Sequence, residues 1–152
     1  ADGDAATAPL DAIRRTLEVN FFGAIAVTHA LLPLLRRSPA GRIVNVSSSL
    51  ARPTLPTKLP SVAYRTSKAA LNMFTVTLAQ ALEATPIKVN AVAPGYTVTD
   101  LNRHLAAAIP GWTPPPGQTV EEAARTPVRL ALLPDDGPTG GFFDKTGPIP
   151  WG

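Results

Sequence analysis

Apolar residues recur at helical spacing from residue 10 to about residue 37: Leu10, Ile13, Leu17, Phe21, Ala24, Thr28, Leu31 and Leu35 fall on one face. The pattern predicts a long helix. Asp11 suits its first turn, where a carboxylate meets the positive end of the helix dipole, and Pro33 should kink or end it. Ser38-Pro-Ala-Gly41 reads as a turn. The period then changes. Arg42-Ile-Val-Asn-Val-Ser47 is a β-branched run of the kind that forms a buried strand. Residues 49–62 carry Pro53, Pro56 and Pro60 and read as a loop. A second long helix is predicted from residue 63 to about 84, with Ser67, Ala70, Leu71, Phe74, Leu78, Ala81 and Leu82 at its small or apolar positions. Ile87-Lys-Val-Asn-Ala-Val92 is a second strand, closed by Pro94-Gly95. Residues 100–118 read as a loop with a short helix near 101–109. A third helix is predicted over 120–133, with Thr119 as its cap and Glu121 and Glu122 in its first turn. Gly140-Gly-Phe-Phe143 is a candidate third strand, and residues 144–152 form a tail rich in glycine and proline.

Helix, strand, helix, strand, helix, strand is the order of βαβ units. It predicts an α/β fold, a doubly wound parallel sheet of three strands with helices on both faces, in one domain over 1–152. Ligands of such sheets bind beyond the carboxyl ends of the strands. Ser48 and Pro94-Gly95 follow strands at that end, and Tyr64 begins the helix after one of them.

Composition narrows the chemistry. The chain has 152 residues and a net charge of +3 carried by scattered basic residues, so no nucleic-acid or membrane partner is indicated. It has no cysteine, which excludes disulfides and thiolate metal sites. His29 and His104 have no metal-ligand spacing; the first reads as a packed core or interface residue, the second as solvent-exposed. No run of about eighteen uncharged apolar residues is present, so no membrane-spanning helix is expected. The first residues are polar and acidic, unlike a signal peptide. The missing initiating methionine hints at a chain cut from something longer. Pro114-Pro-Pro116 reads as a stiff segment of a substrate loop.

The candidate chemistry lies in Tyr64-Arg-Thr-Ser-Lys68. On a helix, Tyr64 and Lys68 share a face one turn apart. An ammonium beside a phenol stabilises the phenolate and is expected to pull the tyrosine pKa down from about 10 toward working pH. Such a tyrosine donates a proton to a carbonyl oxygen or takes one from an alcohol, and a serine hydroxyl at the end of the preceding strand can hold that oxygen.

These residues resemble the short-chain dehydrogenase/reductase family, from about Leu10 to Trp151. The matching pieces, in order, are Glu18-Val-Asn20, Gly41-Arg-Ile-Val-Asn-Val-Ser-Ser48, Tyr64-x-x-x-Lys68, Val89-Asn-Ala-Val-Ala-Pro-Gly95 and Thr99-Asp100, with an ending similar to the carbonyl-reductase-like branch. The resemblance implies a partial Rossmann-like fold. It makes Tyr64 the acid/base, Lys68 the residue that tunes it and binds the nicotinamide ribose, Ser48 the carbonyl-orienting hydroxyl and Asn20 the holder of a proton-relay water. Pro94, Gly95, Val98 and Thr99 match the loop that touches the nicotinamide end of the cofactor, together with Asn20, Tyr64 and Lys68. The implied cofactor is NADP or NAD, NADPH slightly favoured, and the implied substrate a small carbonyl or alcohol. A cytoplasmic homo-oligomer joined through the two long helices is the expected setting.

Two features depart from the family. Ser48 and Tyr64 are sixteen residues apart, longer than usual, with Ser47 the other candidate hydroxyl. The family's glycine-rich cofactor turn and Asn-Asn-Ala-Gly motif are absent from the 152 residues. The chain therefore reads as the C-terminal part of a reductase, with the phosphate-binding half missing. The alternative is a truncated, inactive fragment acting at most as a dimerisation or interaction module.

Overall fold

The computed structural model describes residues 3–57, 59–100, 109 and 111–152. The short helix expected near 101–109 and the exposure of His104 lie outside the described residues. The first helix is continuous but not uniform. An α-helical stretch α1 (Leu10–Leu17) passes through a π-helical turn (Glu18–Phe22) into α2 (Gly23–Leu35). Pro33 is accommodated near its end, and the helix stops two residues later. Then follow β1 (Arg42–Val46), a 3-10 turn (Ser49–Ala51), α3 (Val62–Ala81), β2 (Lys88–Val92), α4 (Val120–Ala131), β3 (Phe142–Asp144) and β4 (Gly147–Pro148). The expected cap of α4 is a full capping box: Thr119 Oγ1 accepts the Glu122 amide at 3.2 Å, and the Glu122 carboxylate accepts the Thr119 amide at 2.9 Å.

The sheet order is β1-β2-β3-β4. β1 runs parallel to β2 with Ile43 opposite Val89 and Val46 opposite Val92, and β2 runs parallel to β3. β4 is antiparallel to β3, so the sheet is mixed and carries one strand more than the three expected. Its cause is local. The Asp144 carboxylate accepts the Thr146 amide at 2.7 Å and the Thr146 hydroxyl at 2.6 Å, which folds the chain back in a tight turn.

Helices cover both faces. Leu78 and Ala79 of α3 and Leu82 just after it pack with Val89 and Ile43 and with Leu32 and Leu35 of α2. On the other side Leu130 of α4 and Leu133 pack with Val44, Val92 and Phe143. Arg42 fastens the start of β1. Its nearly buried guanidinium donates to the carbonyls of Leu133 at 2.8 Å and Gly41 at 2.9 Å and meets the Asp135 carboxylate at 2.8 Å.

β1 is an edge strand. A groove of about 490 Å³ runs along it, walled by α2 residues such as Val27 and Leu31 and by Ile43 and Val46. His29 is exposed and not part of the core. The helix Leu10–Leu35 is, by length and composition alone, long and apolar enough to cross a membrane, contrary to the expectation that no such helix exists. Asn20 and Thr28 supply polar groups along it. What the run-length criterion missed is that isolated polar residues barely lower the average of an otherwise apolar helix.

Candidate active site

Three of the four side chains expected to act together, Ser48, Tyr64 and Lys68, meet at the carboxyl end of β1, and the fourth, Asn20, reaches Ser67 of α3. Ser48 ends the extended segment after the strand. Its Oγ accepts the Leu50 amide at 3.2 Å and caps the following 3-10 turn. Tyr64 stands in the first turn of α3 and is hydrogen-bonded to the Ser48 hydroxyl. One turn on, the Lys68 amine lies 5.7 Å from the centre of the Tyr64 ring and donates to the Val46 carbonyl at 2.9 Å. Asn20 reaches the same helix from the π turn: its Nδ2 donates to Ser67 Oγ at 3.1 Å, and that hydroxyl donates to the Tyr64 carbonyl at 2.8 Å. A π turn widens the helix by one residue and turns a side chain out of the regular face. Here Asn20 sits in that turn.

The competing hydroxyl is spoken for. Ser47 Oγ donates to Asn72 Oδ1 at 2.6 Å, and Ser47 is only 3% exposed. Strand alternation turns Ser47, like Asn45, toward the middle of α3, whereas Ser48 lies beyond the strand, where Tyr64 in the first turn of α3 meets it. Asn45 makes the companion contact one pleat earlier, donating to Thr75 Oγ1 at 2.9 Å. Ser67, placed in a small-residue stripe with Ala70 and Phe74, is fully buried inside the chain by its bonds to Asn20 and Tyr64.

Electrostatics depart from the expectation of an acidic phenol. Burial pushes Tyr64 above the ordinary tyrosine pKa of 10.0, and the Ser48 hydrogen bond opposes this only in part. Burial lowers the Lys68 pKa. The lysine amine is engaged with the Val46 carbonyl.

The loop after β2 forms the second wall. Gly95 has φ +95° and a Cβ there would come within 2.8 Å of Gln118 Nε2. Only glycine takes this conformation without strain. Gln118 donates to the Pro94 carbonyl, lies 3.3 Å from Thr97 Oγ1, and donates its backbone N–H to Tyr96 O at 3.1 Å. It fixes the loop and was not legible in the sequence; the one signal was its place just before the Thr119 cap. Pro94 and Gly95 line a small cleft of about 120 Å³ with Ser49, Tyr96, Asp144 and Lys145. Val98 is 60% exposed on the same loop, and Thr99 follows it.

A serine, a tyrosine and a lysine thus stand beyond the parallel strands of an α/β sheet. The short chain dehydrogenase family model matches residues 1–109, and the protein belongs to this family. The chain is 33% identical to (-)-isopiperitenone reductase of Mentha piperita, a match covering 83% of this chain and 49% of that protein. The carbonyl reductase Sniffer of D. melanogaster superposes with a TM-score of 0.79 at 26% identity, over 99% of this chain and 62% of that one. The Pseudomonas aeruginosa RhlG/NADP active-site complex does so at 0.74 and 27%, over 95% and 60%. The chain spans about half the length of the curated relatives it matches.

Proposed function

We propose that the protein is an NAD(P)-dependent oxidoreductase acting on a small carbonyl or alcohol, with Tyr64 as acid/base. The observation that carries this is the Tyr64 hydroxyl bonded to the Ser48 hydroxyl beyond β1, with the Lys68 amine one helical turn away. Ser48 already accepts the Leu50 amide, which leaves its own hydrogen for an oxygen. A substrate carbonyl placed between the two hydroxyls would be oriented by Ser48 and protonated by Tyr64. Lys68 would hold ribose hydroxyls and steady the charge on the phenol, and Asn20 braces the Tyr64 backbone through Ser67. The cofactor, when bound, supplies the hydride chemistry.

The residues present fit the nicotinamide end of such a cofactor. Gly95 lets backbone come close without a side chain, and Pro94, Val98 and Thr99 stand on the same loop. No glycine-rich turn suited to a pyrophosphate occurs in the 152 residues, so the isolated chain should bind weakly. The RhlG/NADP neighbour favours NADPH over NADH. Residues 51–61 are proline-rich and favour a non-acidic carbonyl compound. The exposed face of Leu10–Leu35 is assigned to protein contact in a cytoplasmic homo-oligomer, because Arg15, Glu18 and His29 are exposed along the helix among its apolar residues.

A second reading, an inactive interaction module, is favoured by the open β1 edge and that exposed apolar face. Fluorescence titration with NADPH and NADH, alongside carbonyl turnover by the complete gene product and its Tyr64→Phe variant, separates the two. Turnover abolished by Tyr64→Phe with cofactor binding retained supports the enzyme. Turnover unchanged by that substitution removes Tyr64 from the chemistry, and saturable tight binding by the 152-residue chain argues against the module.

A further inference from the structure

One side chain ties the first turn of α3 to the segment behind Ser48. Arg65 directly follows Tyr64, and its guanidinium turns back over the chain leaving β1. Its Nε donates to the Leu50 carbonyl at 3.1 Å, and an Nη lies 3.5 Å from the Arg52 carbonyl. Leu50 is the residue whose amide donates to Ser48 Oγ. Ser48 is bonded to Tyr64, and Tyr64 is covalently joined to Arg65. The contacts close a ring: phenol, serine hydroxyl, Leu50 backbone, guanidinium, and back through one peptide bond to the phenol's own residue.

The ring has a physical purpose in this particular chain. The loop between the two hydroxyl-bearing residues is long and carries three prolines, and Thr54 and Pro56 within it are exposed. Beside the packing of the buried Ala51, the Arg65 contacts add a polar tie between the turn Ser49–Ala51 and α3. A guanidinium on a backbone carbonyl is a charge-assisted bond, stronger than its neutral counterpart. Fixing the Leu50 carbonyl sets that residue's backbone and hence the direction of its amide, which selects the Ser48 rotamer.

We propose that Arg65 is a positioning residue, setting the Ser48 hydroxyl against the Tyr64 hydroxyl through Leu50. The inference rests on the reading of Ser48 and Tyr64 given above, and its test is independent of turnover. Among the described residues, Lys68 of α3 lies against the Tyr64 ring and Arg65 adjoins Tyr64 in the chain, so the experiment must separate a direct charge effect from one relayed by Ser48.

The ionisation of Tyr64 is followed by NMR of ring-labelled tyrosine in the full 152-residue chain, whose only other tyrosine is Tyr96. Tyr64→Phe assigns the signal. Arg65→Ala should move the ionisation upward, as Ser48→Ala does, and the double variant should move it no further than Ser48→Ala alone. Arg65→Lys, which can still reach the Leu50 carbonyl, should restore most of the difference. Should Arg65→Ala fail to fold, Arg65→Gln carries the same comparison. An ionisation unmoved by the Arg65 variants overturns the proposal, as do shifts that add in full, since a bare charge effect would persist without Ser48. In turnover, Arg65→Ala should lower kcat about ten- to a hundredfold, leave the cofactor KM unchanged and have no added effect beside Ser48→Ala. Coupled ionisations without NAD(P)H-dependent turnover would leave the positioning role standing and remove the oxidoreductase reading.

Discussion

The two long helices of this protein are both apolar, yet one is built into the molecule and the other lies on it. α3 buries seven of its 20 residues, Ala63, Leu71 and Leu78 among them. The helix from Leu10 to Leu35 is longer, and Thr28 is its one buried residue. Val19, Phe22, Val27, Leu31 and Leu34 are all exposed on it. The strands repeat the contrast. Val89, Ala91 and Val92 of β2 are fully buried, whereas Val46 at the end of β1 is 51% exposed. Composition is similar in each pair; position in the sheet decides. α3 lies over the paired interior of the sheet, whereas α2 overhangs its open edge. Exposed apolar faces of this kind mark surfaces of contact with another protein or with a membrane.

The contrast can be broken or sharpened by substitution. The largest effect belongs to the inner helix: Tyr64→Phe should lower carbonyl turnover by at least about a hundredfold with the far-UV spectrum unchanged. The same residue sets the pH profile. Reduction needs the protonated phenol, and burial raises its pKa, so the rate should hold through neutral pH and decline only above about 10, as the phenol ionises. A decline that begins near neutrality would show that the phenol is tuned downward in the working enzyme. Next in size is the core beneath α3. Leu78→Ala should cost about 2–5 kcal/mol in denaturant unfolding, whereas Leu34→Ser on the outer helix should stay within about 0.5 kcal/mol. Equal losses at the two sites would mean that the outer face is covered in solution. Cutting the link between the helices is smaller still: Asn20→Ala, which frees Ser67, should cost about 1 kcal/mol. Thr119→Ala at the capping box of α4 should cost about as much, and serves as a control far from both helices.

Most of the fold was legible because it is periodic. The spacing of Leu10, Ile13 and Leu17 marks a helix in any context, and so does the β-branched run from Arg42. What stayed hidden depends on partners distant in sequence. The π turn is a local change in helix geometry that leaves apolar spacing intact, and Asn20 meets Ser67 only once α1 lies on α3. Arg42 looks like any strand-opening residue until Leu133 and Asp135 arrive to receive its guanidinium. β4 has two residues, Gly147 and Pro148, too few to show alternation. At the site, the spacing of Tyr64 and Lys68 placed both on α3, but no sequence rule says that the amine goes to the Val46 carbonyl. Nor does spacing predict the direction of the tyrosine pKa, which burial governs. The choice between Ser47 and Ser48 follows from strand alternation once β1 is in register and Asn72 is seen opposite.

The contact between Lys68 and Val46 gives one residue a second duty. Val46 is the last residue of an edge strand, and its carbonyl is an acceptor that a neighbouring molecule's strand could use. An ammonium seated on that carbonyl withdraws it and places a charge at the rim, a common natural guard against edge-to-edge aggregation. Replacing Lys68 by methionine therefore strips away a gatekeeper as well as the proposed cofactor ligand, and such a variant should show lower soluble yield than Tyr64→Phe.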